Sequence, residues 1–408
     1  MSVFFENIEE YYIKTFLKIN TININNQENK DSNYIKISND NKCINLCLSQ
    51  EKESQFYFEH IFTEKEKTKN IFDIIGKPMC SAILEGFNAT IISYGKKNTG
   101  KTYTLLGKSI FEIQKNFHDK ENNKNDIYYE YLNNKGILIF CIENIFNTLV
   151  LTNYYDNFLY NISLSFIEVF DNNIIDYFNT ENFVDNCEFN YKNIFKKKYN
   201  TDINFTKLNI SSVDEAFSLL NQGQEIRKSL FNEINMQGIK GHLIITFYFE
   251  KINKETNQIF KSSFNFIEIS SSNIIKNNYN ITINKSLETF SYIINQLSDN
   301  VKRENILYSN SLLTNLLIDS LGGNSKTSII VNITPYKNDA IGSFQSLNFS
   351  SKFKNILNNP KINEIISNNI NYSYYNEIIE KNERLKGEKN YLLNYLNNIN
   401  SNSNEKFA

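Results

Sequence analysis

Tryptophan is absent from this sequence, proline occurs only 3 times, and no run of about 18 apolar residues exists. The last absence leaves no candidate for a membrane-spanning helix. The charges nearly cancel, at −2 over 408 residues, so bulk electrostatics give no case for nucleic acid or a membrane surface as partner. Histidine is also scarce. His60, His118 and His242 are too dispersed, and Cys43, Cys47, Cys80, Cys141 and Cys187 too scattered, to complete a zinc site. An odd number of cysteines, several in apolar runs, argues for free thiols in a reducing compartment. The opening MSVFFENIEEYY lacks the basic start and long apolar core of a signal peptide. A cytoplasmic protein is the expectation.

Asparagine, lysine, isoleucine, tyrosine and phenylalanine are abundant instead. All five have A/T-rich codons, so the Asn-rich stretches carry little functional weight. The length allows one large domain with an appendage. Strand-like and helix-like segments alternate, which argues for α/β layers. Strands are expected at 12–19, 161–170, 242–249, 264–269 and 328–334. Helices are expected at 67–86, 137–149, 213–220, 287–297 and 312–321. Ser211 or Ser212 suits the N-cap of the 213–220 helix. Two polar stretches, near 108–135 and 179–204, read as surface insertions. Beyond Pro360 the apolar density falls. Residues 374–399 then form a helix candidate, with Ile378, Leu385, Leu392 and Ile399 seven apart. Only one heptad position is apolar throughout, so a single-stripe surface helix and a coiled coil both fit.

The strongest local signal is a loop. Thr90-Ile91-Ile92-Ser93-Tyr94 leads into Gly95-Lys96-Lys97-Asn98-Thr99-Gly100-Lys101-Thr102. This is a complete G-x-x-x-x-G-K-[ST] phosphate loop, set between an expected strand and an expected helix. Gly95 and Gly100 let the backbone curl its N–H groups toward phosphate oxygens. Lys101 can reach the β- and γ-phosphates, and the Thr102 hydroxyl can bind Mg²⁺. The helix that follows adds its positive end. A nucleoside triphosphate is the ligand this chemistry fits.

The segments around the loop narrow the field. Ala82-Ile83-Leu84-Glu85-Gly86-Phe87-Asn88-Ala89-Thr90, running through the loop to Tyr103-Thr104-Leu105-Leu106-Gly107, resembles the kinesin motor domain. So do Ser165-Phe166-Ile167-Glu168-Val169-Phe170 with Asn173-Ile174-Ile175-Asp176, and Ile283-Asn284-Lys285-Ser286-Leu287. The most specific match is Asp319-Ser320-Leu321-Gly322-Gly323-Asn324-Ser325-Lys326-Thr327-Ser328, followed by Asn332-Ile333-Thr334-Pro335. The segments stand in the family's order across roughly residues 10–360. The resemblance implies a P-loop NTPase kinesin-motor fold, with a twisted, mainly parallel central sheet, helices on both faces and a C-terminal neck helix. Residues 1–357 would be the motor domain. Residues 358–408 would be a neck segment, helical to about 400 and disordered beyond, with 374–399 as a homodimer contact. ATP or ADP with Mg²⁺ would be held by Gly95 through Tyr103. Microtubules would be the partner, and the cytoskeleton the location. Asn359-Pro360-Lys361-Ile362-Asn363 resembles the start of the neck in plus-end-directed, N-terminal motors.

The chain departs from the family where catalysis depends on it. The first switch, N-x-x-S-S-R-S-H in the family, reads Asn235-Met236-Gln237-Gly238-Ile239-Lys240-Gly241-His242. Ile239 replaces a serine that helps hold Mg²⁺, and Lys240 replaces an arginine without its planar fork. The second switch, D-L-A-G-S-E, reads Glu268-Ile269-Ser270-Ser271-Ser272-Asn273. Glu268 keeps the carboxylate, Ser271 replaces the glycine that senses the γ-phosphate, and Asn273 replaces the glutamate that pairs with the switch arginine. Glu268, Lys240 and Ser271 are therefore candidate catalytic residues at degenerate positions. At the base, Lys18-Ile19-Asn20-Thr21 replaces R-x-R-P. Tyr103 either offers a face to the base or packs on the core. On the tubulin-facing motif, Ser309, Leu312 and Asn315 replace three basic residues, with Lys302 and Arg303 just upstream.

Two functions follow. One is a divergent microtubule motor with impaired ATP hydrolysis. The other is a non-hydrolysing pseudo-motor that acts as a cytoskeletal scaffold. An unrelated P-loop switch protein is a third reading, which the 319–328 segment argues against.

Overall fold

A computed structural model describes residues 10–21, 34–49, 52–108, 134–151, 157–170, 173–179, 183–184, 188–189, 205–233, 241–271, 278–366 and 378–380. The first four strands of its central sheet are β1 (Lys14–Ile19), β2 (His60–Phe62), β3 (Ala89–Gly95) and β4 (Phe158–Phe170). Four more lie on the same path, β5 (Leu208–Ile210), β6 (His242–Asn253), β7 (Gln258–Glu268) and β8 (Lys326–Ile333), and the strand Asn173–Asp176 pairs antiparallel with the end of β4. The spatial order is β5-β4-β6-β7-β3-β8-β1-β2. From β7 to β2 every neighbour is parallel, and from β5 to β7 every neighbour is antiparallel. The sheet is mixed, with the parallel part around β3, the strand that feeds the phosphate loop.

Both faces of the sheet are buried, which explains the nearly continuous apolar runs in its strands. Side chains alternate between two cores. Ile91, Phe166, Ile245, Phe266 and Ile330 belong to one. Ile92, Ile167, Ile244, Ile267 and Ile329 belong to the other. The first core is covered by three long helical segments. One is α1, built from Thr68–Ile71, a π-helical turn Phe72–Gly76, and Lys77–Glu85. The others are α3 (Ile137–Leu151) and α4 (Val213–Glu233), and the short α2 (Lys101–Leu106) packs there too. The second core is covered by α5 (Asn278–Ser298), α6 (Leu312–Leu316) and α7 (Ala340–Ser350).

Local chemistry sets several ends. Gly86 closes α1 with φ of 101°, a conformation costly for any residue with a Cβ. Ser212 accepts the N–H of Glu215 at 3.0 Å, so it, rather than Ser211, caps α4. Two expected helices differ in length. The 213–220 helix continues to Glu233, because the polar residues after Leu220 include good helix formers and Gly223 fits beneath the Phe166 ring. The 312–321 helix stops at Leu316. There the carbonyls of Ser320 and Leu321 accept from Thr327 and Tyr308 side chains instead.

From Leu357 the chain makes two further strand pairings, the first a separate two-stranded sheet and the second on the central sheet. Leu357–Asn358 pairs with Tyr11–Tyr12, and β9 (Glu364–Ile366) adds antiparallel to β7 at Gln258–Phe260. Of the expected 374–399 helix, only 378–380 lies within the described residues. It is helical, with Ile378 packed on Leu159 and Ile252. The rest of that helix, the tail beyond 400 and most of both polar insertions lie outside the described residues. Cys43, Cys47, Cys80 and Cys141 are free thiols. Among the described residues no helix is long and apolar enough to cross a membrane, and no cluster of His, Cys, Asp and Glu suits a metal.

Candidate nucleotide site

β3 delivers the chain to the loop at the carboxyl end of the parallel strands, and α2 leaves it. The curl between them needs three left-handed residues: Gly95 at φ 145°, Asn98 at 62° and Gly100 at 85°. A Cβ on Gly95 would lie 2.3 Å from the carbonyl oxygen of Asn332, so that glycine is required by space as well. Thr99 steadies the turn by donating its hydroxyl to the Lys96 carbonyl at 2.8 Å. The Lys101 side chain is buried inside the curl, and its Nζ donates to the carbonyls of Gly95 and Lys96 at 2.9 Å each. Lys96 itself points outward and pairs with Asp339 at the start of α7, at 2.5 Å.

The loop meets β7 through one contact. The Thr102 hydroxyl lies 2.8 Å from both Oε1 and Oε2 of Glu268, and Glu268 is buried. A hydroxyl beside a carboxylate, all hard oxygen, is a donor set that fits Mg²⁺. Thr102 and Glu268, expected separately as a Mg²⁺ ligand and a switch carboxylate, are thus brought together in space although 166 positions apart in sequence. Ser270 and Ser271 follow on the cavity wall. Lys240, Ile239 and Asn273 lie outside the described residues.

A cavity of about 800 Å³ opens in front of these groups. Lys18, Lys97, Lys101, Thr102, Tyr103 and Glu268 are among its lining residues. Tyr103 is 37% exposed and donates its hydroxyl to Asn134 Oδ1 at 3.1 Å, so its ring lines the cavity instead of joining the core. Lys18 donates to the carbonyls of Thr63 and Glu66 at 2.7 Å each. Burial drives its pKa down to about 8, against the pull of Glu66 and Glu64.

Three supports behind the cavity were not legible as site residues. Asn332, on β8, accepts from Asn20 and Thr104 and donates to Ser93 at 2.8 Å, tying β1, β3, α2 and β8 together. Its signal in the sequence is one amide inside the apolar run 328–334. Arg227 on α4 grips Glu168 on β4 with Nε and Nη2, at 3.0 and 2.9 Å, and Tyr177 donates to the same carboxylate at 2.5 Å. Burial opposes the guanidinium charge, but Glu168, then Glu268, hold its pKa above the usual value. His242 is fully buried. Its Nδ1 accepts the Ser270 N–H at 3.1 Å and its Nε2 lies 2.8 Å from the Ser286 hydroxyl on α5. Desolvation lowers its pKa to about 4, with Glu168 opposing, so the ring is neutral.

On the other face, Ser309 and Asn315 are exposed and Leu312 is half-buried. Arg303 donates to the Ile318 carbonyl at 3.0 Å and lies 3.6 Å from Asp319, and Lys302 lies 4.0 Å from Glu304.

A parallel strand ending in a glycine-curled loop, with a lysine inside the curl and a threonine against a carboxylate, defines a P-loop nucleotide-binding protein. The kinesin motor domain family model matches residues 18–356. The chain belongs to the kinesin motor domain family. It is 26% identical over 350 residues to kinesin-like protein Klp61F of Drosophila melanogaster, covering 83% of this chain and 31% of that one. Against the kinesin heavy chain of Neurospora crassa it is 26% identical over 330 residues, covering 78% and 32%. A solved structure of a fast kinesin superposes with a TM-score of 0.69 at 23% identity, covering 88% of this chain and 95% of that one. This bears out the fold. The chain spans about a third of the length of these two curated relatives.

Proposed function

We propose that this chain binds Mg·ATP and Mg·ADP in the cavity beside Lys101 and Thr102, hydrolyses ATP slowly, and engages microtubules weakly in the cytoskeleton. The observation that carries the proposal is the Thr102–Glu268 contact beside a complete phosphate loop. Lys101 would exchange the Gly95 and Lys96 carbonyls for phosphate oxygens, which are stronger acceptors for an ammonium. Thr102 and Glu268 would hold Mg²⁺. Bound there, the ion would neutralise phosphate charge.

Slow turnover follows from Ser271 and from the sequence at 239, 240 and 273. Phosphoryl transfer depends on positioning and charge placement, and several of those parts are replaced at once. Weak microtubule binding follows from the charge of the 302–319 segment. Lys302 and Arg303 are offset by Glu304 and Asp319, and Ser309, Leu312 and Asn315 add nothing basic. Tubulin is acidic, so a neutral face gives it little attraction. A homodimer through 374–399 rests on the seven-residue spacing.

A second reading, a non-hydrolysing scaffold, is favoured by Ser271, whose side chain replaces a glycine on the cavity wall. Steady-state ATPase measurement with and without microtubules separates the two: slow but Lys101-dependent turnover supports the motor, and none supports the scaffold.

A further inference from the structure

Consecutive lysines of the phosphate loop face different ways. Lys97 lines the nucleotide cavity, whereas Lys96 leaves the loop on its outer side and runs to α7. Its stem crosses Gly342, where a Cβ would lie 2.5 Å from Lys96 Cδ. Glycine inside a helix costs stability relative to alanine, and here the vacant side-chain position is what lets the stem lie close. The Lys96 Nζ ends on Asp339 Oδ1 at 2.5 Å. Asp339 is also fixed through its other oxygen, which accepts from the Thr334 hydroxyl at 2.7 Å, and the Thr334 carbonyl accepts from the Tyr34 hydroxyl at 2.8 Å. Burial alone would raise the Asp339 pKa, but hydrogen bonds from Lys96 and Thr334 and the Lys96 charge bring it below the usual carboxylate value. The pair is therefore ionised at neutral pH.

The backbone of Lys96 serves the loop as well. Its carbonyl accepts from Lys101 Nζ at 2.9 Å and from the Thr99 hydroxyl at 2.8 Å, so the curl closes on this residue. A phosphate cradle works when its N–H groups converge on one place, and a loop held in that shape beforehand loses less freedom on binding. An ion pair as exposed as Lys96–Asp339 contributes little to overall stability. Its consequence is local, because it fixes by the side chain the same residue whose carbonyl closes the curl. We propose that Asp339 is a positioning residue for the phosphate loop: through Lys96 it holds the curl in its binding shape and makes the loop and the first turn of α7 one unit. The proposal rests on the nucleotide-binding reading above. Coupling of this kind is reciprocal, so a nucleotide in the loop steadies the start of α7.

Two variants, Lys96→Met and Asp339→Ala, separate a brace from an ordinary charge effect. Charge alone gives opposite signs, since one variant removes a cation near the phosphates and the other an anion. A brace gives the same sign. Calorimetric titration of the full chain with Mg·ADP should show each variant weakened about threefold to fivefold, the scale of one partly exposed ion pair, and the double variant no weaker than either. Hydrogen exchange of the 337–343 amides, read by mass spectrometry, should slow when ADP binds the unmodified chain and stay unchanged in both variants. Asp339→Ala binding ADP as tightly as the unmodified chain, or more tightly, overturns the inference. So do losses that add in the double variant, and so does exchange at 337–343 that ignores ADP in the unmodified chain. Each of these leaves the nucleotide reading standing. If the unmodified chain binds no ADP, the nucleotide reading falls and takes this inference with it.

Discussion

The hydroxyl of Thr102 lies 2.8 Å from both carboxylate oxygens of Glu268, at the point where the first turn of α2 meets the end of β7. That contact joins the phosphate loop to the end of β7, two residues before Ser270. From Ser270 the connection continues through His242 to Ser286 on α5.

Lys101 is the residue on which nucleotide affinity should depend most. Its Nζ now rests on two loop carbonyls, and a phosphate would replace them. Lys101→Ala should weaken ADP binding by about 100-fold, the upper scale of a lost hydrogen bond between charged groups. Calorimetry of the two proteins checks it, and equal affinities would contradict it.

His242 should make the fold sensitive to acid. Its pKa is about 4 when folded and 6.5 ordinarily, so between these values the unfolded chain binds the proton and the folded chain resists it. Stability should therefore fall as pH drops from about 6.5 to about 4, by about 3 kcal/mol from this group alone. Urea melts at pH 7 and pH 4.5 should show a smaller difference for His242→Gln than for the unmodified chain. Identical pH dependence in the two would contradict the assignment.

The Arg227–Glu168 pair should tolerate joint replacement better than single replacement. Both groups are buried, so Arg227→Met leaves the Glu168 carboxylate with the Tyr177 hydroxyl but without its counter-charge, at a cost of roughly 3–5 kcal/mol. Adding Glu168→Gln should recover part of that. Denaturant midpoints for the single and double variants read the coupling, and additive losses would show that the pair acts separately.

The face proposed to meet microtubules should respond to added positive charge. Ser309→Arg, Leu312→Lys and Asn315→Arg together should raise co-sedimentation with microtubules at low salt. The gain should fade as ionic strength shortens the screening length toward about 8 Å. Tight pelleting of the unmodified chain at physiological salt would place binding on other residues.

Legibility in the sequence followed chain distance. The phosphate loop is eight consecutive residues, and its glycines, lysine and threonine lie where the spacing put them. β3 and α2 were readable for the same reason. Glu268 was reachable only through the family pattern, since nothing local ties it to Thr102. Asn332, the Arg227–Glu168 pair and the His242–Ser286 link were not readable as site supports. Each depends on which strands are neighbours, and β3 lies between β7 and β8, far apart in sequence. The early end of α6 was hidden likewise, because the carbonyls past it are taken by Thr327 and Tyr308 from other segments. Tyr103 had two readings, and its exposure and its bond to Asn134 place it on the cavity.

The most direct test of slow hydrolysis is steady-state ATP turnover with and without microtubules, beside the variant carrying Ile239→Ser, Lys240→Arg, Ser271→Gly and Asn273→Glu. Ordinary enzymes turn over near 10 s⁻¹, and one misplaced charge-stabilising group costs about 100-fold, so the unmodified chain should stay near or below about 0.1 s⁻¹. Microtubules should raise that rate little. The fourfold variant should raise it by more than the single changes combined, because these groups act as a unit. Turnover of about 10 s⁻¹ or more by the unmodified chain with microtubules would contradict the claim that its switches are impaired.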